Sequence, residues 1–187
     1  FTIDDSDGSL WVSDVNDQAT VLGMSTKNKA GQQMGQEVLK LDRNGNVLMM
    51  LGKMGVAGTG TDVFDRPTGV AIGKDGDIFV TDGHQPNTTG NARVMKFAKD
   101  GTFIKQWGRK GPAPGEFDEP HDIFIGGSEQ RVYVADRKNA RIQVFTKKGQ
   151  FLKEFVVRPE TLGPGSVWDL AFSADARQSH LLVADGS

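Results

Sequence analysis

A short strand ending on aspartate is written four times in this chain: Trp11-Val12-Ser13-Asp14, Phe79-Val80-Thr81-Asp82, Tyr133-Val134-Ala135-Asp136 and Leu182-Val183-Ala184-Asp185. The aspartates lie 68, 54 and 49 residues apart. Two of the units align by hand. Each opens with Phe-Asp-x-Pro, as Phe64-Asp65-Arg66-Pro67 and Phe117-Asp118-Glu119-Pro120. An inner strand follows (Gly69–Gly73 or Asp122–Gly126), then a polar turn and the strand ending in aspartate. A third strand (Arg93–Ala98 or Arg141–Thr146) begins after Asn-Ala, and a Lys-Asp-Gly or Lys-Lys-Gly turn leads into a fourth. Arg-Ile-Gln-Val-Phe alternates as a half-buried strand should.

A unit of four short antiparallel strands, repeating at roughly 40–50 residues, marks a blade of a β-propeller. The expected fold class is therefore all-β, a single domain over residues 1–187 with blades at 1–52, 64–108, 117–157 and 166–187. The first blade carries a long interruption. The last stops after its second strand, so about three and a half blades are expected. An open blade edge leaves unpaired backbone groups. On that ground the chain is expected to be a fragment of a larger propeller, or to pair with another chain. Glycine, at 24 of 187 residues, suits a fold made of tight turns.

Charge and composition narrow the function classes. A net charge of −2 lacks the basic footprint of a nucleic-acid binder. No apolar run approaches the roughly 18 residues of a membrane helix. With no cysteine, disulfides and thiolate metal sites are excluded. Within each blade the first-to-second and third-to-fourth connections lie on one face and are short. The other face holds the long loops: Val15–Gln36, Lys53–Val63, Gly83–Asn91 and Arg109–Glu116. Long loops on a rigid scaffold are where binding and catalysis concentrate. His121 begins an inner strand and Arg137 follows the second strand of the same blade. His84 takes the matching place one blade earlier, so all three fall on the long-loop face. Two imidazoles and a guanidinium there suit a metal-assisted acid/base site.

Residues across nearly the whole chain resemble the NHL-repeat propellers, and more closely the catalytic domain of peptidyl-α-hydroxyglycine α-amidating lyases. The stretches that carry the likeness are Pro67-Thr68-Gly69-Val70-Ala71, Val80-Thr81-Asp82-Gly83-His84, Gln106-Trp107-Gly108, Pro120-His121-Asp122-Ile123 and Val134-Ala135-Asp136-Arg137. The resemblance implies a six-bladed propeller holding one zinc through three histidines from alternate blades. His121 matches the middle ligand. The first would fall immediately before Phe1 and the third in a later blade, so the chain is not expected to complete the zinc site alone. Thr68 and Trp168 occupy the same position in the intervening blades. Arg137 matches the family's catalytic arginine. Phe1 falls where a backbone carbonyl joins a calcium site. The family's catalytic tyrosine is replaced by His84. The implied reaction breaks the carbon–nitrogen bond of an α-hydroxyglycine to give an amide and glyoxylate, and the likeness implies work outside the cytoplasm, secreted or periplasmic. Partners are a small-molecule or peptide substrate, with neither nucleic acid nor membrane expected. A non-catalytic NHL-type propeller that binds a protein or peptide on the long-loop face is the alternative.

Plainer readings stand beside these. His121 also reads as a capping or channel-lining residue, Arg137 as a surface pair and His84 as a solvated loop residue. The four repeated aspartates read as turn residues that accept backbone N–H groups or pair with Arg93 and Arg141. Asp5-Ser6-Asp7-Gly8 imitates a calcium loop but sits at a hairpin turn. Gly55–Gly60 imitates a phosphate loop, with no Gly-Lys-Ser/Thr after it. Asn87-Thr88-Thr89 fits a glycosylation pattern. Trp107 reads as packing between blades and His180 as structural.

Overall fold

The computed structural model describes residues 1–15, 27–84, 90–161, 163, 165–175 and 178–186. The glycosylation-like Asn87-Thr88-Thr89 lies outside them, as does much of the loop after Val15. Described residues form fourteen strands and no helix. Strands β1 (Thr2–Ile3), β2 (Leu10–Asp14), β3 (Glu37–Leu41) and β4 (Val47–Gly52) pair in chain order as one sheet. A second sheet is β5 (Pro67–Ile72), β6 (Ile78–Asp82), β7 (Arg93–Phe97) and β8 (Phe103–Trp107). The third is β9 (Pro120–Gly126), β10 (Arg131–Asp136), β11 (Arg141–Phe145) and β12 (Phe151–Val156). A two-stranded sheet, β13 (Asp169–Phe172) with β14 (Leu181–Ala184), follows. Every pairing between these strands is antiparallel, as the all-β propeller reading requires.

The sheets stack face to face because their strands bury both faces. On β6, Ile78 and Val80 join Trp11 and Val38 of the first sheet, while Phe79 joins Val132 and Phe145 of the third. All five residues of β6 are buried. The alternation of period two thus sends each side chain to one neighbouring blade or the other. Trp107 packs edge-on to Phe79 of its own blade, 6.3 Å between centroids, and 5.9 Å from Phe145 of the next. The outer hairpin is the same in three blades. Gly45, Gly101 and Gly149 stand at φ 83°, 85° and 78°, and the register shifts at Lys40/Leu41, Lys96/Phe97 and Val144/Phe145. A left-handed glycine beside a one-residue slip is a bulged hairpin turn, which lysine and aspartate before the glycine tolerate.

The repeated aspartates lock loops. Asp82 accepts the Asp65 N–H at 2.8 Å, the Arg93 Nε–H at 2.9 Å and the Asn91 amide at 2.8 Å. The rest of Arg93 donates to the carbonyls of Thr59, Gly60 and Val63. Asp136 repeats this with Asp118 N–H at 2.7 Å and Arg141 Nε–H at 2.7 Å, and Arg141 reaches the carbonyls of Pro112, Ala113 and Glu116. The glycine-rich Gly55–Gly60 segment therefore offers carbonyls to a guanidinium rather than amides to a phosphate. Asp5–Gly8 is a hairpin turn closed by Gly8 N–H to the Asp4 carbonyl and Asp4 N–H to the Ser9 carbonyl. The first strands of the sheets, β1, β5, β9 and β13, lie in sequence order, each beside the next.

Candidate functional site

Strand β6 ends at Asp82 and the chain turns at Gly83, where φ is +137°. A Cβ there would lie 1.8 Å from the Asn91 carbonyl oxygen, so only glycine fits. The Gly83 and His84 N–H groups both donate to the Arg66 carbonyl, at 3.0 and 3.1 Å. One blade on, Arg137 N–H donates to the Glu119 carbonyl at 3.3 Å and Lys138 N–H to the Asp118 carbonyl at 3.0 Å. Arg66 and Glu119, each preceding its blade's proline, both stand at φ 65°. His84 is two residues past its strand-ending aspartate and Arg137 only one. They thus occupy neighbouring rather than identical repeat positions.

Those two turns bring the three sequence-selected side chains together. Arg137 Nη1 lies 3.4 Å from His84 Nε2, and the His84 and His121 rings are 5.4 Å apart by centroid, tilted by 54°. His121, second residue of β9, places Nδ1 2.6 Å from the Trp168 carbonyl. A carbonyl only accepts, so Nδ1 carries the hydrogen and Nε2 keeps its lone pair. Burial, with Arg137 and His84 nearby, holds the His121 pKa below its usual value against the pull of that hydrogen bond. The ring is therefore neutral near pH 7. Burial also lowers the Arg137 pKa, and Glu119 draws it back up.

Two members of the cluster were not selected as site residues from sequence. Glu119, 2% exposed, accepts from Arg137 Nη1 at 2.7 Å, pairs with Lys138 Nζ at 3.0 Å and faces His84 Nε2 at 3.4 Å. The Trp168 ring lies under the Arg137 guanidinium, 3.6 Å from Cζ to the centroid, and edge-on to His121 at 5.2 Å. The signal for Glu119 was the variable x of Phe-Asp-x-Pro, arginine in one blade and glutamate in the next. Phe1, before β1, exposes its side chain, and none of the contacts within this cluster includes it. A cavity of about 890 Å³ lies at the other end of the same inner strands, against Ile72, Lys74, Ile125 and Gln130, and contains none of these residues.

The donor chemistry fits His121 as one metal ligand, with its tautomer fixed by a backbone carbonyl in the manner of ligating histidines. Among the described residues no group of three His, Cys, Asp or Glu side chains is arranged to hold a metal ion. Without a metal, the cluster can still bind a carboxylate at the guanidinium and move a proton at an imidazole.

Comparison with known proteins gives the same outline. Residues 67–160, half of the chain, match the model of a family described as 6-bladed beta-propeller. Peptidyl-glycine alpha-amidating monooxygenase B of Xenopus laevis is 33% identical over 156 residues, 80% of this chain and 15% of that protein. Human NHL repeat-containing protein 3 is 34% identical over 153 residues, covering 80% and 42%. A probable peptidyl-alpha-hydroxyglycine alpha-amidating lyase of Caenorhabditis elegans is 32% identical over 145 residues, covering 76% and 35%. The chain spans less than half the length of each of these relatives. A solved gluconolactonase structure from Xanthomonas campestris superposes with a TM-score of 0.61 over 98% of this chain and 52% of that one. At 17% identity, that match speaks to the fold alone.

Proposed function

This chain belongs to the 6-bladed β-propeller family, and we propose that its long-loop face carries out a carbon–nitrogen lyase reaction of the amidating type. The observation that carries this reading is the meeting of His84, His121 and Arg137, residues drawn from two blades and 53 positions apart at the extremes. A peptidyl-α-hydroxyglycine presents a carboxylate, a hydroxyl and an amide nitrogen on or beside one carbon. Arg137 binds the carboxylate through its guanidinium. His84 accepts the hydroxyl proton at Nε2, where Glu119 Oε1, 3.4 Å away, receives the new N–H. The oxygen's electron pair forms the carbonyl as the carbon–nitrogen bond breaks. His84 then returns the proton to the departing amide nitrogen, and the products are a peptide amide and glyoxylate.

Zinc with His121 among its ligands would supply Lewis acidity to the substrate oxygen. Metal analysis tests this part. With His121 the single matched ligand, the protein is expected to take up zinc only weakly, and what it takes up should fall in His121→Ala; uptake unchanged by that substitution contradicts it. NHL repeat-containing protein 3 is named for its repeats and for no reaction, and the second reading is a propeller that binds a protein or peptide on this face without cleaving it. Peptide binding with no glyoxylate released would select that one.

A further inference from the structure

We propose that Glu119 is the positioning carboxylate of this site, fixing Arg137 against Trp168 and standing opposite His84; the catalytic consequence rests on the lyase reading above.

Three observations converge on it. The side chain is 2% exposed yet charged, and a carboxylate is rarely carried so deep without a task for its charge. Its backbone sits at φ 65°, a left-handed conformation that Arg66 repeats one blade earlier, so both positions keep a long charged side chain where glycine would suit the backbone better. Glycine there would remove the strain and the carboxylate together. Finally, its two oxygens divide the labour. Oε1 meets Arg137 Nη1 at 2.7 Å and His84 Nε2 at 3.4 Å, while Oε2 faces Lys138 Nζ at 3.0 Å.

The guanidinium is thus held from two directions. Glu119 grips it in its plane, and the Trp168 ring supports its face at 3.6 Å. Gripped at Nη1 and backed by the ring, the guanidinium is fixed in orientation. His84 Nε2 lies near both the Arg137 donor and the Glu119 acceptor, 3.4 Å from each. One carboxylate therefore holds the anion-binding group and stands beside the base. The repeat position one blade earlier holds Arg66, which donates to the His84 carbonyl at 3.3 Å, so the two blades are not interchangeable here.

The test pairs a spectroscopic readout with kinetics in zinc-containing buffer, using Glu119→Gln and Glu119→Ala. Nitrogen-15 spectra of the arginine side chains are expected to show separate, slowly exchanging Nη signals for Arg137, identified by its loss in Arg137→Lys. These should collapse to an averaged signal in Glu119→Ala. Glu119→Gln, which keeps the shape and one acceptor, should retain KM and lose kcat by about tenfold to hundredfold, as misalignment without lost binding requires. If the wild type releases no glyoxylate but Arg137 is freed in Glu119→Ala, the lyase reading falls and the positioning role stands. Resolved, unaltered Arg137 signals in Glu119→Ala, or wild-type kcat in both variants, would overturn the proposal.

Discussion

Arg137 shows how much of a site can hang on one side chain. It is 6% exposed and pairs with Glu119 at 2%. Removing one member of such a pair usually costs about 3–5 kcal/mol, because the other is left charged and buried. Lys138 still faces Glu119 at 3.0 Å, so Arg137→Ala is expected near the lower end, about 3 kcal/mol by urea denaturation. Gly83→Ala should be worse for the loop than for the core. Its Cβ would meet the Asn91 carbonyl at 1.8 Å, and the expected outcome is a displaced His84 with activity lost beyond the fall in stability. His84, His121 and Arg137 were legible in sequence because each is tied to a motif with a fixed place in the blade. Glu119 was not, because its motif position varies and only the meeting of two blades reveals what its carboxylate faces.

At the scale of the strand pair, the aspartate–arginine lock explains why the repeated aspartate ends the second strand. Asp82 and Asp136 are fully buried and each faces an arginine across the ladder, as Asp82↔Arg93 and Asp136↔Arg141. Asp136→Ala would leave Arg141 buried with its Nε–H unpaired and remove one of the two acceptors of each of the Asn139 and Gln143 amides. A loss of about 3–5 kcal/mol is expected, read as a lower denaturation midpoint. The first blade breaks the rule. Its pair is Asp14↔Glu37, and Glu37 is 1% exposed. Burial, then Asp14, pushes the Glu37 pKa up to about 7 from 4.5. Because the folded value is the higher one, this group favours the fold most fully below about pH 4.5, and that contribution is lost as pH rises through about 7. Glu37→Gln should therefore gain thermal stability relative to the wild type at pH 8, and lose that advantage at pH 5. A constant difference across that range would contradict the assignment. The strand alternation and the Asp-Gly turns were readable at this scale, whereas the substitution of an acid for the arginine carries meaning only once the register is known.

Across the whole molecule, the propeller was legible because one physical requirement repeats. A sheet with a neighbour on each side must bury both faces, so its second strand alternates residues for the blade before and the blade after, as Ile78, Phe79 and Val80 do. The channel-mouth cluster follows from that stacking, since adjacent inner strands carry His121 and Trp168 side by side. What sequence alone could not supply was the tautomer of His121, which depends on a carbonyl 47 residues away. The central claim is a lyase reaction at this mouth. Glyoxylate release from a peptidyl-α-hydroxyglycine by the protein in zinc-containing buffer tests it most directly, with His84→Ala and His121→Ala run beside the wild type. The account predicts turnover by the wild type and a fall of about a hundredfold or more in each variant. A folded wild type that releases no glyoxylate there would contradict it.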